Sequence, residues 1–327
     1  MIFFQKPIDG FAGDPQQRSR LFFVAAGNGK RFPQQAAVSG VDVLALAADP
    51  FLRRQLGLGR HLRLTCRQGK INGRACDLVF LRKQINKEKG KQLAETLGCQ
   101  FVDTNAEAVE SAQYVVFCVK PQFLKGVLEE LKPVFAKVAE AGQEKIIVSI
   151  VAGVEVATYQ KELELEGKNI SVIRILPNTA CLIGKGFTLI EQGPSYTKAQ
   201  EDEFRHILRE SGGFDSLPAS QFVAGSVLTS TSPAFIAMFA NSLADGGVYN
   251  GLLRPQARRY ALEGIFGTVQ LLLQSEKHLE GLKDDVCSPA GPAMIGVKTL
   301  EDTGFRSSVI NAVANAYKRF DEIGKLK

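Results

Sequence analysis

The chain has 327 residues, 45% hydrophobic and 23% charged, with a net charge of +6. That length suits two domains, and the composition is that of an ordinary globular protein. No apolar run approaches the roughly 20 residues of a membrane span. The first fifteen residues, with Phe3, Phe4, Asp9 and Asp14, hold no apolar signal core, so no secretory leader is expected. The 6 Cys show no C-x-x-C pair, and the 3 His stand too far apart for a metal site. Free or buried thiols in a reducing cytoplasmic compartment are expected. The basic excess lies wholly in the N-terminal quarter: residues 1–83 carry +9 and the remainder −3. Such a patch attracts phosphates, nucleic acid or an acidic partner, although no recognised nucleic-acid motif accompanies it.

In chain order, LFFVA (21–25) reads as a strand and AAGNG as the turn after it. A dinucleotide site wants a strand, then G-x-G-x-x-G opening a helix whose N-terminus receives the pyrophosphate. Here Ala25 or Ala26 stands for the first glycine, and Pro33 falls where the helix should run. Gly27, Asn28 and Gly29 remain as candidates to expose backbone amides to a cofactor; a plain turn is the other reading. The segment 49–75 is basic and lacks clean periodicity, which fits an inserted loop, disorder or an altered reading frame. DLVFL (77–81) reads as a buried strand. If it is the second strand of the fold, Arg82 and Lys83 stand where cations select a 2′-phosphate, favouring NADPH over NADH.

Strand and helix then alternate. KEKGKQLAETLG (87–98) reads as a helix, CQFV (99–102) as a strand, and TNAEAVESA (104–112) as a helix capped by Thr104. YVVFCV (114–119), IIVSIVAGV (146–154) and ISVIRILPNT (170–179) read as apolar strands, with a helix in FLKGVLEELKPVF between the first two. Apolar strands alternating with helices predict a parallel sheet covered on both faces. Beyond Leu217 the pattern is helical: 232–252, 254–278 and 305–323. Helices so apolar and so few need another surface, and a second subunit is the simplest one.

FCVKPQ, SIVAGV, RILPNT, TSTSPAF, LADGGVYNGL, SEKHLEGLKDDVCSPAGPA and LEDTGFRSSVINAV occur in one order between about 85 and 325. Together they resemble the corresponding segments of pyrroline-5-carboxylate reductases. The resemblance implies an α/β Rossmann-like domain (1–218, atypical over 1–84) followed by an all-α dimerisation and substrate domain (219–327). It implies reduction of the cyclic imine of pyrroline-5-carboxylate to proline with NADPH or NADH, in a homodimer that often assembles into decamers.

The resemblance also implies site residues. Val119, Lys120 and Pro121 would line the dinucleotide at a strand's carboxyl end, as would Ala152 and Asn178. A surface Lys before a loop Pro, and an Asx-type turn at Asn178, are the plainer readings. DVCSPAGPA (285–293) would bind the substrate carboxylate with successive backbone amides. The family typically reads SPGG, then small residues and a Thr. Ser288 and Gly291 are kept, but Ala290 replaces a Gly, Pro292 lacks an N–H, and Ala293 stands where the Thr hydroxyl is expected. TSTSPAF stands for the usual GSGPAY, so Ser230 and Ser232 replace glycines and Phe235 a Tyr. Glu276 matches a Glu near the substrate ring, with a solvated helix end as the other reading. No general acid and no metal constellation is visible. Besides an active or impaired reductase, two readings stand: a non-catalytic family relative that acts as a binding or regulatory scaffold, and a nucleic-acid role for the basic quarter.

Overall fold

The computed structural model describes residues 21–22, 64–71, 74–80, 99–100, 102 and 104–325. The expected helix at 87–98, the turn at Gly27–Gly29 and the cations at Arg82 and Lys83 lie outside the described residues.

The main sheet has six strands: β1 (Leu21–Phe22), β5 (Tyr114–Phe117), β6 (Lys145–Ser149), β7 (Ile170–Leu176), β8 (Gly186–Gln192) and β9 (Gly212–Pro218), side by side in that order. All neighbours are parallel except β7 and β8, which are antiparallel. β5, β6 and the residues Val172–Leu176 of β7 are buried, as apolar strands covered by helices must be. The sequence reading of these strands therefore holds, with two strands added, β8 and β9, that run opposite to the rest.

One placement is corrected. DLVFL falls in β3 (Arg74–Phe80), and the start of CQFV in β4 (Cys99–Gln100). Both pair antiparallel with β2 (Leu64–Ile71) in a separate three-stranded sheet, so neither joins the parallel sheet. The reason is local. Asn-Gly is a strong two-residue hairpin sequence, and Asn72-Gly73 stands in the sequence between β2 and β3, which pair antiparallel.

The helices follow from their ends. α1 (Asn105–Ser111) starts at a capping box, with Thr104 Oγ1 accepting from the Glu107 N–H and Glu107 accepting from the Thr104 N–H. α2 (Pro121–Glu140) opens with Pro at its first position, where a missing N–H costs nothing. It buries Leu124, Val127, Leu128, Leu131, Phe135 and Val138, an i, i+3, i+4 stripe, in the sheet core. α3 (Val156–Glu162) follows β6, and α4 (Lys198–Leu208) precedes β9.

From Ala219 the chain is helical: α5 (Ala219–Ser226), a π turn at Val227–Thr231, α6 (Ser232–Tyr249), α7 (Arg254–Gln274), α8 (Leu279–Val286), α9 (Pro292–Asp302) and α10 (Phe305–Lys325). Residues Met1–Ser230 with Lys318–Lys327 form one compact unit, and Thr231–Tyr317 a second. α5, the π turn and α6 join without a break into a 31-residue helix, only 17% buried over its most apolar stretch. By length and composition this helix is sufficient to cross a membrane, which corrects the expectation that no such run exists. The sequence reading begins this helix at 232, yet Val227–Thr231 forms the π turn and the helix runs through it. Exposed apolar side chains crowd the second unit, among them Ile236, Met238, Leu243, Phe266 and Ile310. An apolar surface of this extent requires a covering partner.

Candidate functional site

Parallel register aligns Phe117, Ser149 and Arg174 across β5, β6 and β7. The segments that leave these strands therefore emerge along one edge of the sheet. They are Cys118–Lys120, Ile150–Val154 and Pro177–Asn178, the three loops singled out in the sequence. β1 runs parallel beside β5, with Phe22 level with Val115. The carboxyl edge of an open parallel sheet is where such folds bind ligands.

Each loop is held from beneath. Lys120 caps α2 through its backbone, its carbonyl accepting from the Phe123 N–H at 2.9 Å, and its side chain is exposed. Val119 packs half-buried against the core. Ser149 Oγ lies 2.7 Å from the Tyr159 hydroxyl and accepts from the Val151 N–H at 3.2 Å. Tyr159 is fully buried and meets Phe117 edge-on at 5.5 Å, and burial pushes its phenol far above the ordinary value. These contacts anchor the turn containing Ala152 and Gly153, where φ of +74° suits glycine.

Asn178 is more committed than the sequence suggests. Its side-chain N–H donates to the Thr229 carbonyl at 3.0 Å, and its side-chain oxygen accepts from the Phe187 N–H at 3.2 Å. One N–H and one lone pair are left for a ligand. Ser230 donates its hydroxyl to the Pro177 carbonyl at 3.1 Å, a bond that a glycine cannot make. Ser232 opens α6, half-buried. The structure thus brings Ser230 to the Pro177–Asn178 loop through a bond within the chain.

In the second unit, Ser288 is exposed between α8 and α9, and Gly291 is the residue before α9. A Cβ on Gly291 would lie 2.2 Å from Ser288 Oγ, which would have to rotate away, and 3.1 Å from the Ser288 carbonyl oxygen, so the turn is tight around this glycine. Ala290 has φ of +56°, left-handed backbone that costs an ordinary residue about 1–2 kcal/mol. Pro292 occupies the first helical position, where its lack of an N–H is tolerated, and the Ile295 N–H makes the first helical bond, to the Gly291 carbonyl. The N–H groups of Ala293 and Met294 precede that bond and face away from the helix ladder. Glu276 is exposed in the connection to α8, whose N-cap is His278, with Nδ1 accepting from the Glu280 N–H at 3.3 Å. Arg306 grips Glu280 through Nη1 at 2.8 Å and Nη2 at 3.3 Å, and Glu301 through Nε at 2.6 Å. Hydrogen bonds from Arg306, then Lys283, hold the Glu280 carboxyl down at about 2. α8, the end of α9 and the start of α10 are thereby tied together around the Ser288 loop. Among the described residues no cluster of His, Cys, Asp and Glu suits a metal ion.

Residues 219–323 match the family model "Pyrroline-5-carboxylate reductase dimerisation" and residues 77–153 that of "NADP oxidoreductase coenzyme F420-dependent". The pyrroline-5-carboxylate reductase of a Synechocystis strain is 34% identical over 233 residues, 71% of this chain and 83% of its own length. The chain belongs to the pyrroline-5-carboxylate reductase family. The Pisum sativum member is 29% identical over 86% of this chain and 100% of its own length. Among solved members, the Plasmodium falciparum enzyme, crystallised with NADP bound, superposes with a TM-score of 0.63 at 25% identity over 70% of this chain and 83% of its own. The Coxiella burnetii enzyme gives 0.63 at 25% identity over 73% of this chain and 86% of its own. A Rossmann-like sheet domain followed by a helical dimerisation domain is the architecture of the family and of this chain.

Sequence reasoning missed Arg174, which is buried opposite Glu191. The signal was present: a cation inside the apolar run ISVIRIL must find a partner if the strand is buried.

Proposed function

We propose that this chain reduces 1-pyrroline-5-carboxylate to L-proline with NAD(P)H, the last step of proline biosynthesis. The observation that carries the reading is the convergence of Val119–Lys120–Pro121, Ala152 and Asn178 on one sheet edge in a chain 34% identical to a named reductase. The bound nicotinamide supplies the hydride, and the chain's task is to hold it against the imine carbon. Val119, Pro121 and Ala152 offer backbone and apolar surface to the dinucleotide, and Lys120 a free cation for its phosphates. Asn178 presents its remaining amide N–H to the nicotinamide or ribose. Gly27, Asn28 and Gly29 take the pyrophosphate, and Arg82 favours NADPH.

The substrate carboxylate is assigned to the Ser288–Ala293 loop, with Ser288, Gly291 and the Ala293 N–H as contacts, and Glu276, Ser230 and Ser232 bordering the ring. No side chain is assigned as general acid, so the imine takes its proton from solvent or before binding. The domain boundary is placed at 218/219. The apolar helices face a second copy rather than a bilayer, in a cytoplasmic homodimer with decamers as the larger assembly.

Ala290 in left-handed backbone and the missing hydroxyl at 293 favour a second reading, a family relative with weak or lost catalysis that serves as a scaffold. NADPH oxidation with pyrroline-5-carboxylate separates the two. Turnover supports the reductase; no turnover, with no rise in Tm on adding NADPH, leaves the scaffold.

A further inference from the structure

We propose that Arg174 is a positioning residue for the dinucleotide site, acting through the Pro177–Asn178 loop and clamped by Glu191 and Phe222. The proposal rests on the reading above that Asn178 meets the nicotinamide end of the cofactor.

Arg174 is 5% exposed, and its Nη1 donates to Glu191 Oε2 at 2.5 Å across the antiparallel β7–β8 pair. Glu191 is 8% exposed, so the ion pair is desolvated on both sides. The guanidinium carbon stands 4.8 Å from the ring centre of Phe222, which is fully buried in α5. Three elements, β7, β8 and α5, thus meet at one planar cation. Its Nε is buried and has no hydrogen-bond partner among the described residues. For stability alone this arrangement is a poor choice: two well-packed apolar side chains would serve a dry interior as well or better. What the cation supplies is direction, because a planar fork fixed at Glu191 and stacked on Phe222 permits one placement of the strand end.

That strand end carries the site. Three residues after Arg174, the Pro177 carbonyl accepts from Ser230 and the next residue, Asn178, bonds the Thr229 carbonyl. Thr229 and Ser230 lie in the π turn on the same continuous helix as Phe222. The loop is therefore held twice against one helix, by the Arg174–Phe222 contact below and the two hydrogen bonds above. Arg174 is level with Ser149, which secures the neighbouring loop through Tyr159 and Val151. β6 and β7 thus each have a polar side chain just beneath the loop that follows, fixing that loop by contacts inside the fold.

The test compares the full-length chain with Arg174→Lys, with Phe222→Leu, and with the apolar pair Arg174→Met and Glu191→Leu. NADPH dissociation is measured by fluorescence, Tm by scanning, and kcat and KM with pyrroline-5-carboxylate. A positioning role predicts that Arg174→Lys and Phe222→Leu weaken NADPH binding and lower kcat by about ten- to a hundredfold, with KM for pyrroline-5-carboxylate unchanged. The apolar pair restores Tm without restoring either quantity. Loss of Tm with NADPH affinity and kcat unchanged overturns the proposal, and so does an apolar pair with parental kinetics. Should Arg174→Lys not fold, Phe222→Leu, which retains the charge pair, decides alone. A parent that binds NADPH but does not turn over refutes the reductase reading, and the dissociation constants still decide the role of Arg174. A parent that binds no dinucleotide overturns both.

Discussion

The sheet edge and the Ser288 loop are held by opposite kinds of force. Beneath the edge, Phe117, Ser149, Tyr159 and Arg174 are all at most 5% exposed and bond to one another or to nearby core groups. Around the loop, Arg306, Glu280 and Glu301 remain about half exposed. Contacts inside a dry core are short-ranged and insensitive to salt, whereas exposed ion pairs are screened and individually weak. The positions that the sequence resemblance marks as departures, 230, 232, 290 and 293, lie in the helical unit and the π turn before it.

The largest expected effect tests the edge. Tyr159→Ala removes a fully buried ring and leaves Ser149 without its partner, and should cost about 3–5 kcal/mol in denaturant unfolding. A loss below about 1 kcal/mol would put the edge in the same class as the loop. Next is Ala293→Thr, which restores a hydroxyl at the start of α9. It should raise kcat/KM roughly tenfold or more if a bond worth about 1.5–3 kcal/mol is regained, and an unchanged rate in an active enzyme removes that hydroxyl from the site. Ala290→Gly relieves the φ of +56°. It should stabilise the chain by about 1 kcal/mol, the strain relieved less the extra freedom of an unfolded glycine; a fall in Tm contradicts the strain argument.

The smallest effect is electrostatic. Glu280 is held at about 2, below its unfolded value, so its contribution is fully present above that unfolded value and is lost as pH falls towards 2. Unfolding followed from pH 5 to pH 2 should show a slope that Arg306→Gln reduces and that added salt weakens. A slope identical in parent and variant means that the Arg306 grip has no weight.

Much of this was legible without coordinates. Tyr114–Phe117, Lys145–Ser149 and Ile170–Leu176 announce themselves by β-branched and apolar runs, and α1 by Thr104 and Glu107 at capping-box spacing. The hairpin of β2 and β3 was missed because basic residues hid an Asn-Gly turn signal. The continuity of the helix through 227–231 was not in the sequence reading, which began the helix at 232, because Ser and Thr are weak helix formers. Ser230 was chosen for the substrate, yet its hydroxyl is given to Pro177, since sequence lists donors but does not say which acceptor is nearest.

Local chemistry, then, determined which segments are strands and helices, which loops follow them and which family the chain resembles, because periodicity, caps and motifs act over a few residues. Only the tertiary structure decided that Arg174 meets Glu191 and Phe222, residues 17 and 48 positions away, and that Asn178 is tied to Thr229. Those pairings depend on parallel register and on helix placement, which bring distant parts of the chain within hydrogen-bond distance and have no signature at either end alone.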